Sequence, residues 1–174
     1  MRKKKNQVNK ININDPLNWW NKFWVVLTLL IIIIEFVGLI FFPKTFRPKF
    51  IIIIALAIPT ILMLFQYRQL RKSKVFLIWL SISLFLFCVF ILIKTLSISL
   101  NSELLYYIRG LKTPIFFLTA YYFFRKISKS VWRTELIIPP KNSRYDIEEG
   151  RKSNVIDYVS FFGYWLIIVM SFMF

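Results

Sequence analysis

From Phe23 to Phe42 the chain runs through twenty residues that carry one charge, Glu35. The run lacks the polar stripe that a helix on the surface of a soluble protein needs. A bilayer's hydrocarbon core is about 30 Å thick, which about 20 helical residues cross at about 1.5 Å each. Four further apolar blocks follow, over 50–67, 75–93, 103–124 and 155–174. The shortest has eighteen residues, and at roughly 27 Å it is just long enough to cross. Lipid offers the backbone no hydrogen-bond partners, so only helices or closed barrels cross it. Unbroken apolar runs lack the two-residue alternation of barrel strands. The expected fold is therefore an all-α integral membrane protein, a bundle of about five transmembrane helices. Its parts are a basic disordered N-terminal tail over 1–15, a four-helix membrane bundle over 16–124, a polar segment over 125–154 and a fifth transmembrane helix over 155–174.

Local signals refine the blocks. Asp15 followed by Pro16 reads as a helix cap and first helical position. Trp19, Trp20 and Trp24 suit the head-group layer. The run that follows is too long for a secretory h-region, and no small-x-small cleavage site follows it. Pro59 predicts a kink in the second block. Gly110 and Pro114 weaken the fourth, which is expected either to be kinked or to lie partly flat at the outer surface. Ser81 and Ser83 are expected to bond between helices. Asn154 with Asp157 three residues on reads as a cap with an acid in the first turn.

Charge decides the threading. Segments 1–22, 68–74 and 125–154 hold eighteen Lys and Arg, whereas 43–49 and Lys94 hold four. The positive-inside bias places the N-terminus and 125–154 in the cytoplasm and the C-terminus outside, in a cytoplasmic-type (inner) cell membrane. The net charge of +16 would suggest nucleic acid in a soluble protein. Here the basic residues cluster at the ends of apolar blocks, which fits anionic lipid head groups and not nucleic acid.

Chemistry is sparse. The chain has no His, which removes His-dependent nucleophile pairs and the usual proton shuttle. Its one cysteine, Cys88, lies inside an apolar block, so neither an intramolecular disulfide nor a Cys-based zinc site is expected. No Gly-rich phosphate loop is present. No metal site, cofactor or catalytic residue is expected.

Two groups of residues stand out. Ionisable side chains inside a span are costly unless paired or near water. Counting from the outer ends of their blocks at about 1.5 Å per residue, Glu35 lies roughly 11 Å deep, Arg109 roughly 9 Å and Lys112 roughly 14 Å. A charge pair between Glu35 and Arg109 or Lys112 is the expectation. Snorkelling cations with a protonated Glu35, or a proton relay, are the alternatives. The second group lies in 125–154, long for a connection within a bundle. It reads as a solvated connector stiffened by Pro139 and Pro140, or as a cytoplasmic docking surface using Trp132, Arg144, Tyr145, Asp146, Glu148 and Glu149. Around Trp132 the chain is apolar enough to lie in the head-group layer.

The functional expectation is a non-catalytic accessory, assembly or scaffolding subunit of a larger membrane complex, with a membrane-protein partner or a second copy as the neighbour. A small oligomeric transporter or channel is the alternative, and a membrane enzyme acting on lipid or glycan the third.

Overall fold

The structure, a computed structural model, describes residues 17–41, 47–96, 108–137, 145–146 and 151–173. Those residues are helical apart from short connectors and one two-residue ladder. The α-helices are α1 (Trp19–Phe41), α2 (Arg47–Ile61), α3 (Ser73–Leu96), α4 (Thr113–Ile127) and α5 (Val155–Met173). Each falls on one of the five apolar blocks, although α2 stops short of the end of its block and α4 takes only the second half of the fourth.

The ends of the helices have local causes. Leu17 and Asn18 are not helical, and the Asn18 carbonyl accepts from the Asn21 and Lys22 amides. Asn18, itself a favoured capping residue, therefore begins α1 three residues later than the Asp15–Pro16 signal implied. Beyond Pro59, which removes one backbone donor, α2 widens into a π-helical turn over Leu62–Gln66. From Ile108 on, where the fourth block is described, a 3₁₀ turn, Arg109–Lys112, leads into α4. Pro114 sits in the first turn of α4, where its missing N–H costs nothing. It starts this helix and does not kink it. At the other end a π-helical turn, Ser128–Trp132, extends α4, and Arg133 stops it in the left-handed region at φ 54°.

Neighbouring helices run antiparallel. Asn21 bonds Gln69 and the Trp24 ring stacks on Phe65 at one end of α1 and α2. The rings of Phe76 and Tyr122 meet near one end of α3 and α4, and the Lys112 ammonium lies over Phe90 near the other. Helices α4 and α5 join through Arg109 to Met173, Thr113 to Ser171 and Phe124 to Tyr164. Gly163 lets them close up, since a Cβ there would lie 3.0 Å from the Phe124 ring.

The core is apolar with several polar side chains set into it, and the outward faces are largely apolar as well. Trp79, Tyr121, Tyr164 and Phe117 are the largest fully buried side chains. Thr28, Gln66, Ser83, Thr113, Ser128 and Asp157 are also fully buried. The outward faces carry Leu30, Ile33 and Ile34 on α1, Leu84, Phe85 and Leu92 on α3, and Phe162, Leu166 and Val169 on α5, all exposed. Buried polar groups and large exposed apolar faces are the informative departures from a soluble fold. Among the described helices one, α3 over Ser73–Thr95, is by itself long and apolar enough to cross a membrane, and only 17% of its apolar window is buried. Ser81 and Ser83 do not bond between helices as expected. They donate to the Leu77 and Trp79 carbonyls of their own helix, the common way for a hydroxyl to be satisfied inside an apolar helix.

Candidate functional site

The densest chemistry lies at the end of the bundle where α4 stops and α5 begins. Because Arg133 takes the left-handed conformation, the chain turns back beneath the helices. Ser128 fixes the reversal by donating to the Thr134 carbonyl at 2.9 Å. The next residue, Glu135, then meets three cations. Arg125 grips both carboxylate oxygens, at 3.0 and 3.1 Å, Lys129 binds one of them, and Arg71 from the α2–α3 connector stands 4.0 Å away. Arg71 also donates to the Leu136 carbonyl at 2.7 Å.

A two-pronged Arg–carboxylate pair is both strong and directional. Partial burial pushes the Glu135 carboxyl up, but the hydrogen bonds from Arg125 and Lys129 outweigh it and bring the pKa down to about 2. Leu136 and Ile137, at 1% exposure each, then enter the core. Above them the Tyr121 hydroxyl donates to the Tyr67 carbonyl at 3.2 Å, and the two rings meet edge to face.

Asp157 completes the arrangement from α5. It is fully buried. One carboxylate oxygen accepts the Ile137 amide at 3.0 Å and the other accepts the Asn154 amide at 2.7 Å. The second bond is the return half of a capping box, as the Asn154–Asp157 spacing predicted. The first was not foreseen. Together they hold Ile137 and Asn154, the two feet of the segment 138–153, on a single carboxylate. Between the feet Tyr145–Asp146 pairs antiparallel with Arg151–Lys152, Tyr145 opposite Lys152 and Asp146 opposite Arg151. Between Ile137 and Asn154 the described part of the polar segment carries this short antiparallel ladder.

No family model, curated protein or solved structure matches the chain.

The residues singled out in the sequence fall in different places. Trp132 is exposed at the end of α4. Tyr145 and Asp146 form one side of the ladder, while Arg144, Glu148 and Glu149 lie outside the described residues. Glu35 is on α1, its side chain outside the described part. Arg109 donates to the Met173 carbonyl at 2.8 Å, and Lys112 lies over the Phe90 and Phe116 rings. Arg71, Arg125, Lys129 and Glu135 were not foreseen as a group. Only the four-residue spacing of Arg125 and Lys129 on one helix face hinted at an acidic partner. Among the described residues no three of His, Cys, Asp and Glu gather as metal ligands.

Proposed function

We propose that the chain crosses a cytoplasmic-type membrane five times, with 125–154 on the cytoplasmic side, and serves as a non-catalytic accessory, assembly or scaffolding subunit of a membrane complex. Large apolar outward faces support the crossings: the exposed Leu, Ile and Phe of α1, α3 and α5 belong in lipid, while Thr, Ser and Gln are among the side chains turned inward. Alternating helix direction also supports them. Beside α3, the 23 residues of α1 and the 19 of α5 extend about 34 and 28 Å. Arg47–Gln66 and Thr113–Trp132, each counted through its wider turn, are about 30 Å long, the last two turns of the second lying at the cytoplasmic surface.

The observation that carries the scaffolding role is the Asp157 clamp. A plain connector has no need of a buried carboxylate that ties both of its ends to the bundle. Such a tie fixes the two ends of the polar segment against the bundle. Ordering an arm before it binds lowers the entropy that a partner must overcome. Tyr145, Asp146 and the neighbouring Arg144, Glu148 and Glu149 then form the contact.

The test replaces 141–152 with a Gly/Ser loop of equal length and purifies both forms in mild detergent. The expected result is one membrane-protein partner at fixed stoichiometry with the natural chain, lost with the replaced loop while the helical dichroism is kept. Identical partners with and without the arm contradict the role.

A further inference from the structure

The outward seam between α4 and α5 is not filled. Phe116, Ala120, Phe123, Ile167 and Met170 line an apolar groove there of about 490 Å³. Phe116, Phe123 and Met170 are exposed along it. The hydroxyl of Thr119, the polar group midway, is spent on the Ile115 carbonyl at 2.8 Å. Only one end is charged. There Lys112, at 8% exposure, joins the lining.

That end gathers positive charge. The Lys112 ammonium lies 5.6 Å from the centre of the Phe90 ring, and the Lys94 ammonium lies 6.0 Å from the same centre. Arg109 precedes Lys112 on the same 3₁₀ turn. Among the described residues no carboxylate forms an ion pair with any of the three. A ring face attracts a cation but does not neutralise it. Like charges crowded at the edge of a low-dielectric region call for an anion.

We infer that this groove holds one acyl chain of an anionic glycerophospholipid from the outer leaflet, with the lipid phosphate at Lys112. The direction of the groove matches that occupant. Lys112 opens α4, and the apolar lining runs inward from it toward Phe123 on α4 and up to Ile167 on α5. A head group at the charged end therefore places its chain deeper in the bilayer. A free phosphate leaves the apolar length unused, and a neutral lipid supplies no counter-charge to Lys112 and Lys94, Arg109 being bonded to the Met173 carbonyl. The inference rests on the five-crossing arrangement proposed above, with the fourth crossing starting at Thr113, which moves Lys112 from the depth its block implied to the outer end.

Native mass spectrometry of the full-length chain, taken from nanodiscs of equal phosphatidylglycerol and phosphatidylcholine, tests it. The natural chain should retain one phosphatidylglycerol in preference to phosphatidylcholine by about tenfold, the factor that one close charge pair readily supplies. Lys112→Gln should erase the preference. Ala120→Trp, which fills the groove, should abolish retention of both lipids. Lys126→Gln, at the opposite end of α4, should change nothing. Equal retention of the two lipids by the natural chain overturns the inference, with no variant needed. So does a preference that emerges only in Glu35→Gln, which would make the Glu35 carboxylate the counter-ion. Groove filling that splits a dimer and leaves the lipid bound also overturns it. Impermeant labelling of single cysteines at Thr45 and Ser143 on intact cells, before and after permeabilisation, reads the threading separately. If both label from one face, the crossing arrangement fails; if they label from opposite faces and the lipids do not discriminate, only the lipid site fails.

Discussion

The carboxylate of Asp157 accepts the backbone amide of Ile137 at 3.0 Å across twenty residues of chain. Its other oxygen caps its own helix at Asn154. One side chain therefore both starts α5 and docks the strand that follows α4.

Removing it should loosen both. Asp157→Ala leaves two amides without their acceptor, at about 1–3 kcal/mol for each buried donor. Asp157→Asn keeps one acceptor oxygen and turns an NH₂ group toward the other amide, so its loss should be smaller. Thermal unfolding in mild detergent gives the order: natural chain, then Asn, then Ala. Trypsin should also cut the arm at Lys141 and Arg144 faster in Asp157→Ala than in the natural chain. Equal cutting rates and equal unfolding temperatures would show that Asp157 holds nothing.

Glu135 sets a pH dependence. Its folded-state pKa is about 2 against an ordinary 4.5. A depressed carboxylate pKa stabilises the fold above the unfolded value and ceases to do so as pH falls through the folded one. The stability that Glu135 supplies is thus complete at neutral pH and fades from about 4.5 down to about 2. Glu135→Gln should melt below the natural chain at pH 7, and the gap should close as pH drops through that window. A gap that stays constant with pH would mean that the ion pairs to Arg125 and Lys129 contribute nothing.

How much of this was readable in the sequence depended on distance along the chain. The helices follow from the length and unbroken apolarity of the blocks. The Asn154–Asp157 cap is a three-residue pattern and was legible. Thr113–Pro114 was less so, because proline inside a block reads equally as a kink or as a start. The Glu135 cluster was not legible. It depends on Arg133 adopting a left-handed turn that glycine or asparagine would normally signal, and on Arg71 arriving from a connector more than sixty residues earlier. The bond from Asp157 to Ile137 is equally non-local. The hydroxyls of Ser81 and Ser83 look alike from the sequence whether they bond across helices or within one.

Gln66 tests the packing directly. It is fully buried, and neither atom of its amide has a hydrogen-bond partner among the described residues. A buried, unsatisfied amide costs about 1–3 kcal/mol. Gln66→Met keeps the length and removes the unmet polar atoms, so it should raise the unfolding temperature in detergent. A fall would mean that the amide is satisfied in the folded protein and contributes to it.

The threading is tested most directly by labelling single cysteines on intact cells in a Cys88→Ser background. Cysteines replace Asn6, Thr45, Asn101 and Ser143 in turn, and a membrane-impermeant maleimide is applied before and after permeabilisation. Five crossings with 125–154 inside predict that positions 45 and 101 react at once, and that positions 6 and 143 react only once the membrane is opened. Reaction of position 143 from outside, or reaction of 6 and 143 from opposite sides, would contradict the weave and remove the cytoplasmic arm with it.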